Sequence, residues 1–283
     1  MTYFGFLILS VGAPFLGFVA LSWWDGRRRV KLPEALTSRH PYRVIAGLAV
    51  IAVAYTTPWD NYLVASRVWW YDPTLVTGIV IWYVPIEEYT FFVLQTLFTG
   101  LFTLLILRRL PEARRIGSPH RAMRFRVTTT GATMAVWIAS MLLLILSYRG
   151  EPWLKFRYLG LELGWALPPI ILQLIVGADI LWRHRWAIGF AIGITWLYLS
   201  IADALAIRSG TWTINPELSL PIFIGGVLPI EEAIFFLVTN VLVVFGLTLV
   251  LDQESEERVP AVLRRWLQRR KIDIQSRARE ATT

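Results

Sequence analysis

The chain has 283 residues, 55% of them hydrophobic and 17% charged, with a mean hydropathy of +0.53 and a formal net charge of +8. That balance excludes an ordinary soluble domain and describes a polytopic membrane protein. With no cysteine, disulfides, Cys metal sites and thiol nucleophiles are excluded as well.

Crossing a hydrocarbon core of about 30 Å takes roughly 20 apolar residues. Seven segments qualify in chain order: residues 3–24, 42–60, 75–107, 127–148, 162–182, 186–207 and 218–251. The first lacks a basic n-region and a small-residue cleavage site and runs into Arg27-Arg28-Arg29, so it reads as a retained transmembrane helix. Of the 28 Lys and Arg, 23 fall in the loops after the first, third and fifth segments and in the tail, and five on the opposite side. The positive charge therefore reports topology rather than nucleic-acid binding. It predicts an N-terminus outside, a C-terminus in the cytoplasm and seven crossings.

The third and seventh segments are too long for a simple span, and each carries a proline about ten residues in, Pro85 and Pro229. Proline is tolerated at a helix start and disruptive inside one. The spacing predicts a break at each proline: a short apolar piece before it and a full helix beginning there, with two glutamates in its first turn. The tail after Asp252 is basic, with Val262, Leu263, Trp266 and Leu267 at near-helical spacing, which predicts an interfacial helix on an anionic leaflet.

The sequence repeats itself. A shift of 143 superposes Tyr55 on Tyr198, Asp60 on Asp203 and Trp69 on Trp212, and a shift of 144 superposes Pro85-Ile86-Glu87-Glu88 on Pro229-Ile230-Glu231-Glu232 and Phe91-Phe92 on Phe235-Phe236. One inserted residue reconciles the two shifts. The expected architecture is all-α, with two parallel three-helix repeats, residues 1–110 and 161–251, a linker with the fourth helix at 111–160, and a basic tail at 252–283. Parallel repeats place a pseudo-two-fold axis along the membrane normal, so that the two acidic pairs face one cavity.

Ionisable groups at membrane depth are functional candidates by default. Neighbouring helical residues point about 100° apart, so one glutamate of each pair faces the cavity and the other stands behind it. Burial and like charge favour the neutral acid, whereas a helix N-terminus favours the carboxylate. A carboxyl left neutral can act as an acid. Asp60 and Asp203 are equivalent positions whose roles divide between the site and the interface. Asp179 has no repeat partner and reads as structural. Aromatic residues crowd the acidic motifs: Trp69, Trp70, Trp82, Tyr83, Tyr89, Phe91, Phe92, Trp212, Phe235 and Phe236. They serve either packing and interface belts or the stabilisation of a cation. His40, His120 and His184 lie in loops far from the glutamates, and Lys31, Lys155 and Lys271 lie outside the helices, which argues against a His-dependent zinc site and a Schiff-base lysine. No glycine-rich dinucleotide fingerprint is present.

At these residues the chain resembles the membrane-integral lycopene cyclases: a duplicated PIEE before Phe-Phe, each copy with an upstream Asp and Trp, in three-plus-one-plus-three helices. In that family the two repeats are separate subunits in some bacteria and fused in others and in archaea and fungi. The resemblance spans roughly residues 1–251. It implies cyclisation of the linear end groups of lycopene to β-rings, with ε-rings or C50 substrates as alternatives, and no flavin domain, metal or other cofactor. It implies Glu87, Glu88, Glu231 and Glu232 as essential acids, with Asp60 and Asp203 beside them. A carboxylic acid would protonate the terminal double bond, and the next double bond would attack the resulting cation. Trp69, Trp212, Phe91, Phe92, Phe235 and Phe236 would stabilise the ring cation, and a carboxylate would remove a proton. Either Glu88 or Glu232 can be the acid. Lycopene, the lipid bilayer and other carotenoid-pathway enzymes are the expected partners. The alternative from another class is a proton-coupled small-molecule transporter, which also uses three-plus-one-plus-three parallel repeats; the scarcity of polar residues on the motif helices counts against it.

Overall fold

The computed structural model describes residues 1–112 and 116–258; the amphipathic stretch expected after Val259 lies outside the described residues. Helix α1 (Tyr3–Phe6) starts at Thr2, whose hydroxyl accepts the Gly5 N–H, and continues through a π-helical segment, Leu7–Gly12, into α2 (Ala13–Arg27). Helix α3 (Pro41–Ala65) has proline at its first position. Strands β1 (Trp69–Tyr71), β2 (Val80–Ile81) and β3 (Val84–Pro85) lead into α4 (Ile86–Leu107). Next come α5 (Pro119–Ser147), capped by Ser118, α6 (Arg157–Arg183) and α7 (Arg185–Arg208). Strands β4 (Trp212–Ile214), β5 (Phe223–Ile224) and β6 (Leu228–Pro229) precede α8 (Ile230–Leu251) and the short α9 (Gln253–Arg258).

The protein is an all-α integral membrane protein. Six helical stretches among the described residues are long and apolar enough to cross a bilayer: Tyr3–Arg27, α4, α5, Leu154–Arg183, α7 and α8. The sequence predicts seven. The seventh, α3, is 25 residues long, but Thr56, Thr57, Pro58, Asp60 and Asn61 occupy one end of it and dilute its hydropathy.

Both long segments break at their prolines. Pro85 and Pro229 hold extended backbone as the N-caps of α4 and α8, and the apolar piece before each is a two-stranded hairpin, β2–β3 or β5–β6. A proline has no N–H to lose at this point, so the helix starts there without leaving a hydrogen bond unmade. The residue that reconciles the two repeat shifts lies in the hairpin turn. The first hairpin turns through Trp82 and Tyr83, the second through Gly225, Gly226 and Val227.

Strand β1 pairs antiparallel with β4, with Trp70 opposite Thr213 and Trp69 opposite Ile214. Trp70 and Thr213 are equivalent under the 143 shift, and that shift carries Trp69 to Trp212 and Tyr71 to Ile214, so the pairing is related to itself by a local two-fold. The flanking bonds obey the same relation: Asp72 N–H to Thr211 O at 3.2 Å and Asn215 N–H to Val68 O at 2.8 Å. Likewise Tyr3 N–H donates to Leu75 O at 2.8 Å and Tyr158 N–H to Leu218 O at 3.0 Å, which docks the starts of α1 and α6 on equivalent loops. Helices α4 and α8 form the centre, with 67% of each span buried, and α5 forms the periphery, with 6% buried. At the end of the bundle away from the hairpins the charges pair with one another. Asp25 binds Arg109 at 2.7 Å, and Asp179, as expected of a structural residue, is gripped by Arg258 through both oxygens at 2.7 and 2.6 Å.

Candidate active site

The first turns of α4 and α8 carry the four glutamates, and all four are buried. Each pair divides its work. Glu87 Oε1 accepts the Thr77 N–H at 2.6 Å and Glu231 Oε1 accepts the Leu220 N–H at 2.7 Å, so these two side chains tie the loop before each hairpin to the helix after it. Glu88 and Glu232 turn the other way and line one common cavity. Two glutamates 144 residues apart meet there because α4 and α8 start side by side below the paired strands β1 and β4.

No lysine, arginine or histidine among the described residues pairs with any of the four. The partners of the inward pair are phenols. Tyr3 and Tyr71 both donate to Glu88 Oε2, Tyr71 at 3.0 Å, and Trp69 Nε1 donates to the Tyr71 hydroxyl at 3.1 Å. Tyr158 donates to Glu232 Oε1 at 2.6 Å. Asp203 accepts from Trp212 Nε1 at 3.1 Å and neighbours the Glu232 carboxyl. Asp60 is buried with no hydrogen-bond partner among the described residues, within the electrostatic reach of Glu88, Tyr3 and Tyr71, and lies behind the cavity wall rather than on it.

The walls are aromatic. Trp69, Phe91, Trp212, Phe235 and Phe236 line the cavity as expected, whereas Phe92 points instead into a neighbouring apolar groove. Phe91 meets Phe236 edge-on at 6.1 Å, and Phe236 meets Phe235 at 5.3 Å. Trp82 and Tyr83 stand exposed at the hairpin turn, away from the site, because a two-residue turn at the rim of the bundle leaves their side chains no interior to enter. The enclosed space is about 40 Å³, enough for a water or two.

Four residues of this neighbourhood are not singled out by the sequence: Tyr3, Tyr71, Tyr158 and Glu162. Tyr3 and Tyr158 occupy equivalent starts of the first and fifth helices under a shift of 155, so a search for a third shift would have found them. Glu162 sits one turn beyond Tyr158, fully buried, with neither oxygen hydrogen-bonded among the described residues and with Glu232 and Glu231 as its carboxyl neighbours. Leu7 is at the corresponding position of the first repeat, so repeat matching passes over Glu162.

The family profile described as lycopene cyclase matches residues 2–106. A lycopene beta-cyclase of Halobacterium salinarum is 38% identical over 251 residues, covering 88% of this chain and 95% of that protein. A bifunctional lycopene cyclase/phytoene synthase of Aspergillus oryzae is 30% identical over 86% of this chain, and one of Podospora anserina is 37% identical over 74% of it. The matches cover only 38% and 35% of those longer proteins. No solved structure matches the chain.

Proposed function

The chain belongs to the lycopene cyclase family, and from that premise we propose that it is a lycopene β-cyclase: an enzyme that closes the linear end groups of lycopene to β-rings by acid catalysis, without redox chemistry or a cofactor. One observation carries the proposal. Two glutamates, one from each PIEE copy, meet in a single aromatic-walled cavity with no Lys, Arg or His among the described residues to neutralise them.

Ring closure is a net isomerisation, so it needs a proton delivered at one carbon and removed at another. Two carboxyl groups in different surroundings provide that pair of functions. Their surroundings differ here. Glu88 receives two phenol donors on one oxygen, which suits a carboxylate. Glu232 receives one phenol and has two close carboxyl neighbours, Asp203 and Glu162, whereas the close carboxyl neighbour of Glu88 is Asp60; carboxyl groups that crowd together do so most easily when protons are shared among them, and the crowding is greater around Glu232. Glu232 is therefore the acid that protonates the terminal double bond. Glu88 faces the ring cation as stabiliser and removes the proton that completes the ring. The faces of Trp69, Trp212, Phe91, Phe235 and Phe236 surround the cation and screen it from water. A cavity holding both groups works on one end group at a time, so closure of both ends of a linear carotenoid requires two visits. The charge bias places the hairpins and the site toward the outer side, with seven crossings and α3 among them.

The test is pigment analysis of lycopene-producing bacteria expressing the full chain. Lycopene should fall and a β-ringed carotene should appear. Lycopene left intact by well-expressed, membrane-inserted protein would reject the proposal. An ε-ringed product would reject the ring assignment and retain the acid chemistry.

A further inference from the structure

The acid cavity is too small for an end group of lycopene, and the rest of a long polyene has to lie somewhere while one end reacts. Beside the cavity, across the ring of Phe235, lies a second space of about 180 Å³ between α3, α4, α6 and α8. Phe235 lines both spaces. On α3 the lining side chains follow one helical stripe, Leu48, Ala52 and then Tyr55 with Thr56, and Ile51 and Tyr55 at its rim are exposed toward the lipid. Helices α3 and α6 each pack on α8 rather than closely on one another, which leaves a seam between them. The seam is held by three bonds, Tyr55 hydroxyl to Trp165 O at 2.8 Å, Trp165 Nε1 to Tyr55 O at 3.4 Å and Trp59 Nε1 to Leu161 O at 3.0 Å. From it a series of parallel rings leads inward. Trp165 stacks on Trp59 at 4.4 Å and 17°, and Trp59 on Phe235 at 6.0 Å and 5°.

We propose that this seam between α3 and α6 is a lateral portal and binding groove for the straight chain of a linear polyene, taken up from the bilayer, with Phe235 as the movable wall between groove and acid cavity. The inference rests on the cyclase function proposed above and names where its substrate binds. An apolar cavity of about 150 Å³ stays dry and binds hydrocarbons the size of benzene, so a space of 180 Å³ with mostly apolar walls is a hydrocarbon site. Its opening faces lipid, where a carotenoid is dissolved. Tyr55, Phe92, Trp165 and Phe235 give it aromatic walls for a flat conjugated ribbon. Its continuity with the cavity through one aromatic ring threads one end toward Glu88 and Glu232 while the other end stays in the groove or the bilayer.

The test fills the groove and leaves the acids untouched. Ala52→Phe puts a ring into it, Leu48→Phe does the same one turn away, and Val50→Phe places the same bulk on the lipid-facing side of α3, where Val50 is exposed. Two measurements use the full chain in nanodiscs with lycopene as the probe: conversion to cyclic product, and tryptophan quenching on titration in the Glu88→Gln, Glu232→Gln background, where turnover does not interfere. Each filling variant should weaken lycopene binding and slow conversion by about tenfold or more, while Val50→Phe leaves both at the parent value. If Ala52→Phe fails to accumulate, Leu48→Phe decides by the same criterion. Filling variants that insert normally and bind and convert lycopene like the parent overturn the groove and leave the cyclase function standing. A parent chain that binds lycopene without cyclising it overturns the function, and the binding arm then judges the groove by itself.

Discussion

At the scale of single residues, adjacent glutamates with the same chemistry have different partners. Glu232→Gln removes the proposed acid and should abolish product formation in the pigment assay while expression persists. Glu231→Gln keeps an oxygen that can still accept the Leu220 N–H, so it should retain far more activity than Glu232→Gln. Glu231→Ala leaves that donor unsatisfied, at a cost of about 1–3 kcal/mol, visible as a lower melting temperature in nanodiscs. The tyrosines differ in the same way. Tyr158 is the phenol on Glu232 Oε1, whereas Tyr3 shares Glu88 Oε2 with Tyr71. Tyr158→Phe should therefore slow conversion by about 10- to 100-fold, as expected for the loss of a hydrogen bond of about 1.5–3 kcal/mol to a charged or charge-developing group, and Tyr3→Phe should slow it less. Glu162 is a buried carboxyl with neither oxygen hydrogen-bonded among the described residues, which costs stability. Glu162→Gln, similar in shape and unable to ionise, should raise the melting temperature.

At the scale of elements, the hairpins before α4 and α8 position the acids. The repeats, the two prolines and the helix starts are visible in the chain because proline and apolar runs act locally. The hairpin form of the short pieces is not visible, since two residues per strand carry no period to read. Gly225 and Gly226 turn the second hairpin at φ of +60° and +71°, whereas Trp82 takes φ of +60° in the first with a side chain in place. Gly226→Ala should cost about 1–2 kcal/mol, read as a lower melting temperature, with a larger loss of cyclisation than of expression because the strain lies beside the Glu231 anchor. Helix α3 shows where composition misleads. Its Thr56 lines the groove, Asp60 lies behind the acid cavity and Asn61 bonds the Tyr83 N–H and the Tyr89 hydroxyl, so a helix that falls short on hydropathy is polar because of what it faces.

At the scale of the whole molecule, each half contributes one inward glutamate, one phenol-bearing helix start and one strand of the β1–β4 pair. Neither half holds both members of the proposed acid–base pair. Cutting the chain between α4 and α5 should give two fragments that are inactive when expressed separately and that recover cyclisation when co-expressed, measured by the same pigment analysis. Failure of co-expressed, membrane-inserted fragments to recover any product would show that the linker helix does more than connect the halves.

The membrane class, the duplication, the breaks at Pro85 and Pro229, the placement of four glutamates in helix first turns, and the family to which these residues point are all legible in the amino-acid sequence. Each follows from local composition or spacing along one chain. Only the tertiary structure decided that Glu88 and Glu232 face the cavity while Glu87 and Glu231 hold loops, that tyrosines rather than cations satisfy the inward pair, that Phe92 leaves the acid cavity for the groove, and that Glu162 joins the carboxyl cluster. These depend on which residues distant in sequence meet when α4 and α8 pack together, and adjacent glutamates in a first turn carry no mark of the direction each will face until the neighbouring loop supplies or withholds an N–H.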